Sequence, residues 1–132
     1  RRALKPGGRF VAEFGAEGHM ATLIGAVQSA RVAHGQGESP FGWYFPSAAA
    51  YTDRLRQHGF HVQYIETVQC PALLPAGVAG WLAGAGAPLL ADLDATAAER
   101  VRAATRALLE PAATGGPDCG HDVRLRLLAR RR

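Results

Sequence analysis

The chain contains little lysine and little cysteine, and these shortages exclude several kinds of protein. Lys5 is the only lysine among 15 basic residues. The two cysteines, Cys70 and Cys119, lie far apart rather than in the paired spacing of a zinc knuckle or a CxxC redox site. The five histidines form no HxxxH pattern, and no GxSxG segment is present. We therefore expect free thiols, no metal site and no serine-type nucleophile.

Long apolar runs are also missing. No stretch approaches the roughly 20 apolar residues that would span a bilayer, and the start of the sequence shows no signal-peptide core. The 132 residues are 48% hydrophobic and 20% charged, which is ordinary for a globular protein. We expect one domain with its own core, located in the cytoplasm and without a membrane partner.

The positive charge shows no pattern typical of nucleic-acid binding. The formal net charge is +4, but the arginines are dispersed except for Arg1 with Arg2 and the run at 130–132. No basic stripe interleaved with aromatic residues and no zinc-finger spacing is present. We therefore expect no nucleic-acid partner.

The first half of the chain alternates strand and helix patterns. Leu4–Gly8 reads as a tight turn, and Arg9–Phe14 alternates as a strand that is at least half buried. Apolar spacing predicts a helix over Met20–His34. Ser47 is placed to cap a second helix, and His61–Val68 reads as a strand. This order favours an α/β fold.

The second half is less regular until its end. Pro71–Gly80 is interrupted by proline and glycine, and Trp81–Leu93 predicts short, broken helical turns. Thr96 and Glu99 have the spacing of a capping box that opens a longer helix. Val123–Arg130 alternates as a strand with one apolar face. No repeat or linker divides the chain.

Three segments, in this order, carry a family resemblance. They are Glu13-Phe14-Gly15-Ala16-Glu17-Gly18-His19, which follows the turn LKPGG at residues 4–8 and the start of the first strand, then Trp43-Tyr44-Phe45-Pro46-Ser47, and His121-Asp122-Val123-Arg124-Leu125-Arg126. Together they resemble class I S-adenosylmethionine-dependent methyltransferases, and most of all the trans-aconitate methyltransferase-like branch that methylates small molecules. Two places depart from that branch, because His19 stands where it often has Asn and His121-Asp122 stands where it often has Asp-Tyr.

The resemblance implies a fold and a position within it. The chain would be the C-terminal part of a Rossmann-like methyltransferase domain over residues 1–132, with the cofactor-binding N-terminal half absent. The three strands would form one sheet, with the last strand antiparallel between the other two. Residues 71–111 would be a helical insertion that forms part of a substrate lid.

The resemblance also implies a function. The parent protein would transfer a methyl group from S-adenosylmethionine to a small molecule, and the methylated atom, N, O or C, is left open. The family's glycine-rich loop and ribose-binding carboxylate are not in this sequence, so we expect no cofactor-binding residues and no activity in the chain alone. A second interpretation is a non-catalytic interaction module derived from half of the fold.

The substrate-binding candidates lie where open α/β sheets place their ligands, or in the aromatic segment. They are Glu13, Phe14, His19, Trp43, Tyr44 and Phe45. Glu13 either orients substrate or acts as a general base, or it is a salt-bridged carboxylate at a strand end. His19 either positions a substrate carboxylate or is a solvated loop histidine. The aromatic residues either line a pocket or pack in the core, and no catalytic residue can be assigned.

The first strand also predicts an interaction. In the family another strand pairs with it, and that strand is not part of this sequence. An unpaired strand edge invites partners, so we expect either a homo-oligomer or pairing with the missing N-terminal half.

Overall fold

The computed structural model describes residues 3–109 and 118–132, and it shows an α/β fold. Its elements, in chain order, are β1 (Arg9–Gly15), α1 (Ala21–Ala33), α2 (Ala48–Gln57), β2 (Phe60–Leu73), α3 (Gly77–Ala83), a 3-10 helix (Ala87–Leu90), α4 (Ala95–Leu109) and β3 (Asp118–Arg131). None of the helices in this described part is long and apolar enough to cross a membrane.

The three strands form one sheet in the order β1-β3-β2. β3 runs antiparallel to β1, with Arg9 opposite Arg130 and Gly15 opposite Arg124. On the other side, the N–H of Arg132 donates to the carbonyl oxygen of Gly59, so the end of β3 meets the start of β2. The expected placement of the last strand, antiparallel between the other two, is confirmed.

Both later strands are longer than their sequence patterns predict. β2 continues to Leu73 and so runs through Pro71, which has no N–H to donate. A proline is tolerated there because β2 lies at an edge of the sheet, where one side of the strand needs no partner. Cys70, in the same strand, is a free cysteine as expected.

Helix starts show where local signals succeed and fail. The Ser47 hydroxyl accepts a hydrogen bond from Ala50 N–H at 3.2 Å, as predicted for α2. The predicted capping box of α4 is wrong, because the carboxylate of Asp94 caps that helix by accepting from Ala97 N–H at 2.8 Å. Glu99 instead faces Arg102 and Arg106, one and two turns further along the helix.

The chain divides into two compact units. The sheet unit comprises Arg1–His19, Tyr44–Cys70 and Asp122–Arg132, and the helical unit comprises Met20–Trp43 and Pro71–His121. In the sheet unit, α2 packs with the inner faces of the strands around a buried cluster: Ala16, Leu55, Phe60, Val123, Leu125, Leu127 and Ala129.

The helical unit has its own core and one buried charge. Its core joins α1, α3, the 3-10 helix and α4, and includes Leu23, Val27, Leu82, Leu89 and Val101. Arg31 of α1 is completely buried. Its two terminal nitrogens bind the two carboxylate oxygens of Asp92, each at 2.9 Å, and Nη1 also donates to the carbonyl oxygen of Leu89 at 2.9 Å.

Candidate functional site

Glu13 and Phe14 lie on opposite faces of β1. Glu13 is about half exposed and binds Arg126 of β3, with 2.7 Å between Oε2 and Nε. Phe14 points to the inner face, where its ring packs edge-on against Tyr51 at 4.9 Å between centroids. Glu13 is therefore a salt-bridged carboxylate at the end of a strand, as the second of its two interpretations states.

Backbone hydrogen bonds hold the loop after β1 in place. Ala16 N–H donates to the carbonyl oxygen of Val123, and Glu17 N–H donates to that of Pro46, at 2.9 and 3.1 Å. His19 N–H donates back to the carbonyl oxygen of Ala16 at 2.9 Å. These bonds fix the point from which the His19 side chain leaves the backbone.

The His19 imidazole lies in a small polar cluster rather than in solvent. Its side chain is only 14% exposed, so the expectation of a solvated loop histidine is wrong. Nδ1 lies 3.1 Å from Oδ1 of Asp122, and the same oxygen lies 2.6 Å from Nε of Arg124. Asp122 acts on His19 electrostatically rather than through a linear hydrogen bond, because Nδ1 has no hydrogen-bond partner of good geometry.

Burial of the His19 imidazole favours its neutral form. Burial lowers the pKa of His19 below its usual 6.5 because it penalises the charged imidazolium. Asp122 acts in the opposite direction and raises this pKa, as does the backbone of Val123, while Arg124 lowers it. Burial, the largest of these causes, decides the direction.

Phe45 is the second sequence candidate that belongs to this cluster. Its ring packs edge-on against the His19 imidazole at 4.9 Å between centroids. Gly15 makes this packing possible, because a β-carbon there would lie 2.6 Å from the Phe45 ring and 3.0 Å from the imidazole. The site thus combines a neutral imidazole, an ion pair and one aromatic side.

The other two aromatic candidates have contacts of their own. Tyr44 is 58% exposed, and the guanidinium of Arg54 stands 5.0 Å from its ring centroid. Trp43 belongs to the helical unit, where it packs against that unit's core and against Phe41. A shared aromatic pocket built from Trp43, Tyr44 and Phe45 remains a prediction.

Sequence reasoning missed the roles of Asp122 and Arg124. Adjacent side chains in a strand point to opposite faces, so the sequence pattern gives Asp122 no partner in its neighbour His121. The partner of Asp122 is instead His19, more than a hundred residues away. The antiparallel register shows why, since Arg124 pairs with Gly15 and Asp122 therefore lies beside the loop that follows β1.

Several backbone amides of the loop after β1 are used within the protein. The N–H groups of Ala16, Glu17 and His19 all donate to carbonyl oxygens of the chain. No glycine-rich loop of the family type follows a strand in the sequence. Among the side chains that the structure describes, which leave out those of residues 71–73 and 110–121, no group of three or more His, Cys, Asp or Glu is arranged to hold a metal ion.

One comparison with known proteins finds a relative that is named as a methyltransferase. Over 85 residues it is 40% identical to a Schizosaccharomyces pombe protein named uncharacterized methyltransferase C70.08c. The matched part is 61% of this chain and 33% of that protein, so the chain spans about a third of the length of this curated relative. No family model matches the chain.

Proposed function

We propose that the chain is the acceptor-side part of an S-adenosylmethionine-dependent methyltransferase that acts on a small molecule. The 40% identity to a protein named as a methyltransferase carries this proposal. The sheet supports it, since a last strand antiparallel between the other two is what the family resemblance implies. In this proposal residues 71–111 contribute to a substrate lid.

The donor site lies outside these 132 residues in this proposal. The matched relative is about three times as long as the part that this chain covers, which leaves room for a separate cofactor-binding half. When bound, the cofactor supplies an activated methyl group. The residues described here would orient the acceptor and exclude water from it.

The free edge of β1 is where we propose that the rest of the protein attaches. Within the described residues β1 pairs with β3 alone. An apolar groove of about 530 Å³ lies beside it, with Leu4, Phe10 and Leu55 in its lining. Sedimentation of the chain with and without the remainder of its reading frame tests this, and self-association that persists in the longer protein would favour a second copy instead.

Activity of the longer protein is the direct test of the function. The longest open reading frame that contains these residues should transfer label from S-[methyl-³H]adenosylmethionine to small molecules in a metabolite extract. Calorimetry should show no micromolar binding of the cofactor to the 132-residue chain. Tight cofactor binding without any methyl transfer to small molecules would contradict the proposal, and a reading frame without a cofactor-binding half would favour a non-catalytic interaction module.

A further inference from the structure

We propose that His19, Asp122 and Arg124 form a binding site for a hydroxyl group on an aromatic or apolar small molecule, with that hydroxyl donating a hydrogen bond to Nε2 of His19. The inference rests on the proposed function and names the acceptor class for it. A phenol or an alcohol would be the preferred ligand, and a carboxylate would be rejected near neutral pH.

The first step is the orientation of the imidazole. Asp122 faces Nδ1 at 3.1 Å, and Arg124 holds the same carboxylate oxygen at 2.6 Å. A carboxylate beside Nδ1 favours the tautomer that carries its proton on that nitrogen. The lone pair is then on Nε2, which becomes a hydrogen-bond acceptor.

The second step is the charge of the cluster. With a neutral imidazole, Asp122 and Arg124 balance each other, so the three side chains carry no net charge. A ligand carboxylate would meet the Nε2 lone pair with its own negative charge, unless the imidazole became protonated. Burial opposes that protonation and lowers the pKa of His19. A neutral donor therefore fits the site, and the substrate carboxylate that we expected His19 to position does not.

The third step is the surroundings of the imidazole. Its side chain keeps 14% exposure, so part of it is open to a ligand, and the Phe45 ring packs against it at 4.9 Å. The cluster also lies at the carboxyl end of β1, where open α/β sheets place their ligands. An apolar body that carries one hydroxyl would match an aromatic side next to a single acceptor.

A matched pair of probes tests the inference on the 132-residue chain. p-Cresol and p-toluate share one aromatic body and differ in hydroxyl against carboxylate. In NMR titrations at pH 7, p-cresol should shift the ¹⁵N signal of His19 Nε2, and p-toluate should bind at least about fivefold more weakly, the loss expected for one hydrogen bond. Equal binding of the two probes, or p-cresol binding that leaves His19 unshifted, would overturn it.

Two variants separate this site from general stability. Asp122→Asn should weaken p-cresol binding about fivefold, because the imidazole loses the charge that sets its tautomer. Asp53→Asn is the control, since Asp53 forms an exposed ion pair with Arg56 in the same unit. His19→Asn should abolish the preference for p-cresol over p-toluate. This variant keeps the inference testable if Asp122→Asn fails to fold, because an unchanged preference in His19→Asn would contradict the inference.

The longer protein distinguishes this inference from the proposed function. Methyl transfer to carboxylates but not to hydroxyl compounds would refute the acceptor class and leave the methyltransferase proposal standing. Selective p-cresol binding without methyl transfer in any acceptor screen would support the site and refute the function.

Discussion

Arg31 in the helical unit and His19 in the sheet unit differ in how many of their side-chain nitrogens are hydrogen-bonded. Arg31 in the helical unit is fully buried, and Asp92 together with backbone carbonyl oxygens accepts from all three of its nitrogens. His19 in the sheet unit is 14% exposed and keeps a nitrogen without a hydrogen bond of good geometry. A saturated buried group such as Arg31 stabilises the fold, whereas in His19 the nitrogen that we propose for a ligand is Nε2, not the buried Nδ1 that faces Asp122.

The largest effect should come from breaking the saturated site. Arg31→Met would leave the Leu89 carbonyl oxygen without this donor inside the protein and remove the partner of Asp92. We expect the free energy of unfolding to fall by about 3 kcal/mol in urea titrations. Arg106→Met is the matched control, because that guanidinium is 47% exposed and lies 3.9 Å from Glu99. A similar loss in both variants would show that burial of Arg31 is unimportant.

The packing of the sheet-unit site should be the next most sensitive feature. In Gly15→Ala, the new methyl group would overlap the Phe45 ring at 2.6 Å. Overpacking of this kind costs about 1–3 kcal/mol, and it should also shift the His19 ring signals. Unchanged stability in chemical denaturation would mean that Phe45 has room to move away.

Acid should weaken the sheet unit through His19. The pKa of this group is lower in the folded chain than the usual 6.5, so the unfolded state binds more protons as the pH falls. The stability contribution is therefore complete above pH 6.5 and is lost as the pH drops through the lower folded pKa. Comparing wild type with His19→Asn isolates this effect from the other histidines, and identical pH profiles would contradict it.

The smallest effect should have the opposite sign. Gly25 lies within α1 of the helical unit, and a β-carbon there would meet nothing within 4 Å. Gly25→Ala should raise the free energy of unfolding by about 0.5–1 kcal/mol, because alanine loses less backbone entropy in a helix. Together with Gly15→Ala it forms a pair of equal chemical changes in the two units, and destabilisation in both would remove the contrast.

Local sequence patterns are enough to predict most of the strands and helices of this fold. The strands and main helices follow from alternation, helical spacing and Ser47. The cap of α4 was missed because Asp94 competes with Thr96 for the same helix start, and only the geometry shows which one accepts the bond from Ala97.

The candidate site was harder to predict because its members meet only through strand register. His19 and Phe45 were both candidates, but nothing in their spacing indicates that they touch. Asp122 reaches His19 only when β3 is antiparallel to β1 and Gly15 is opposite Arg124. His19 and Asp122 are also two positions where the chain departs from the family it resembles, so the departures form one contact.

The ¹⁵N spectrum of the His19 imidazole at pH 7 tests the central claim most directly. An open acceptor requires a neutral ring with its proton on Nδ1, next to Asp122, and an unprotonated Nε2. We predict that pair of nitrogen signals in wild type, and a shift towards the other tautomer in Asp122→Asn. A proton on Nε2, or a fully charged imidazolium, in the wild-type chain would show that the site is not the hydroxyl-binding acceptor described here.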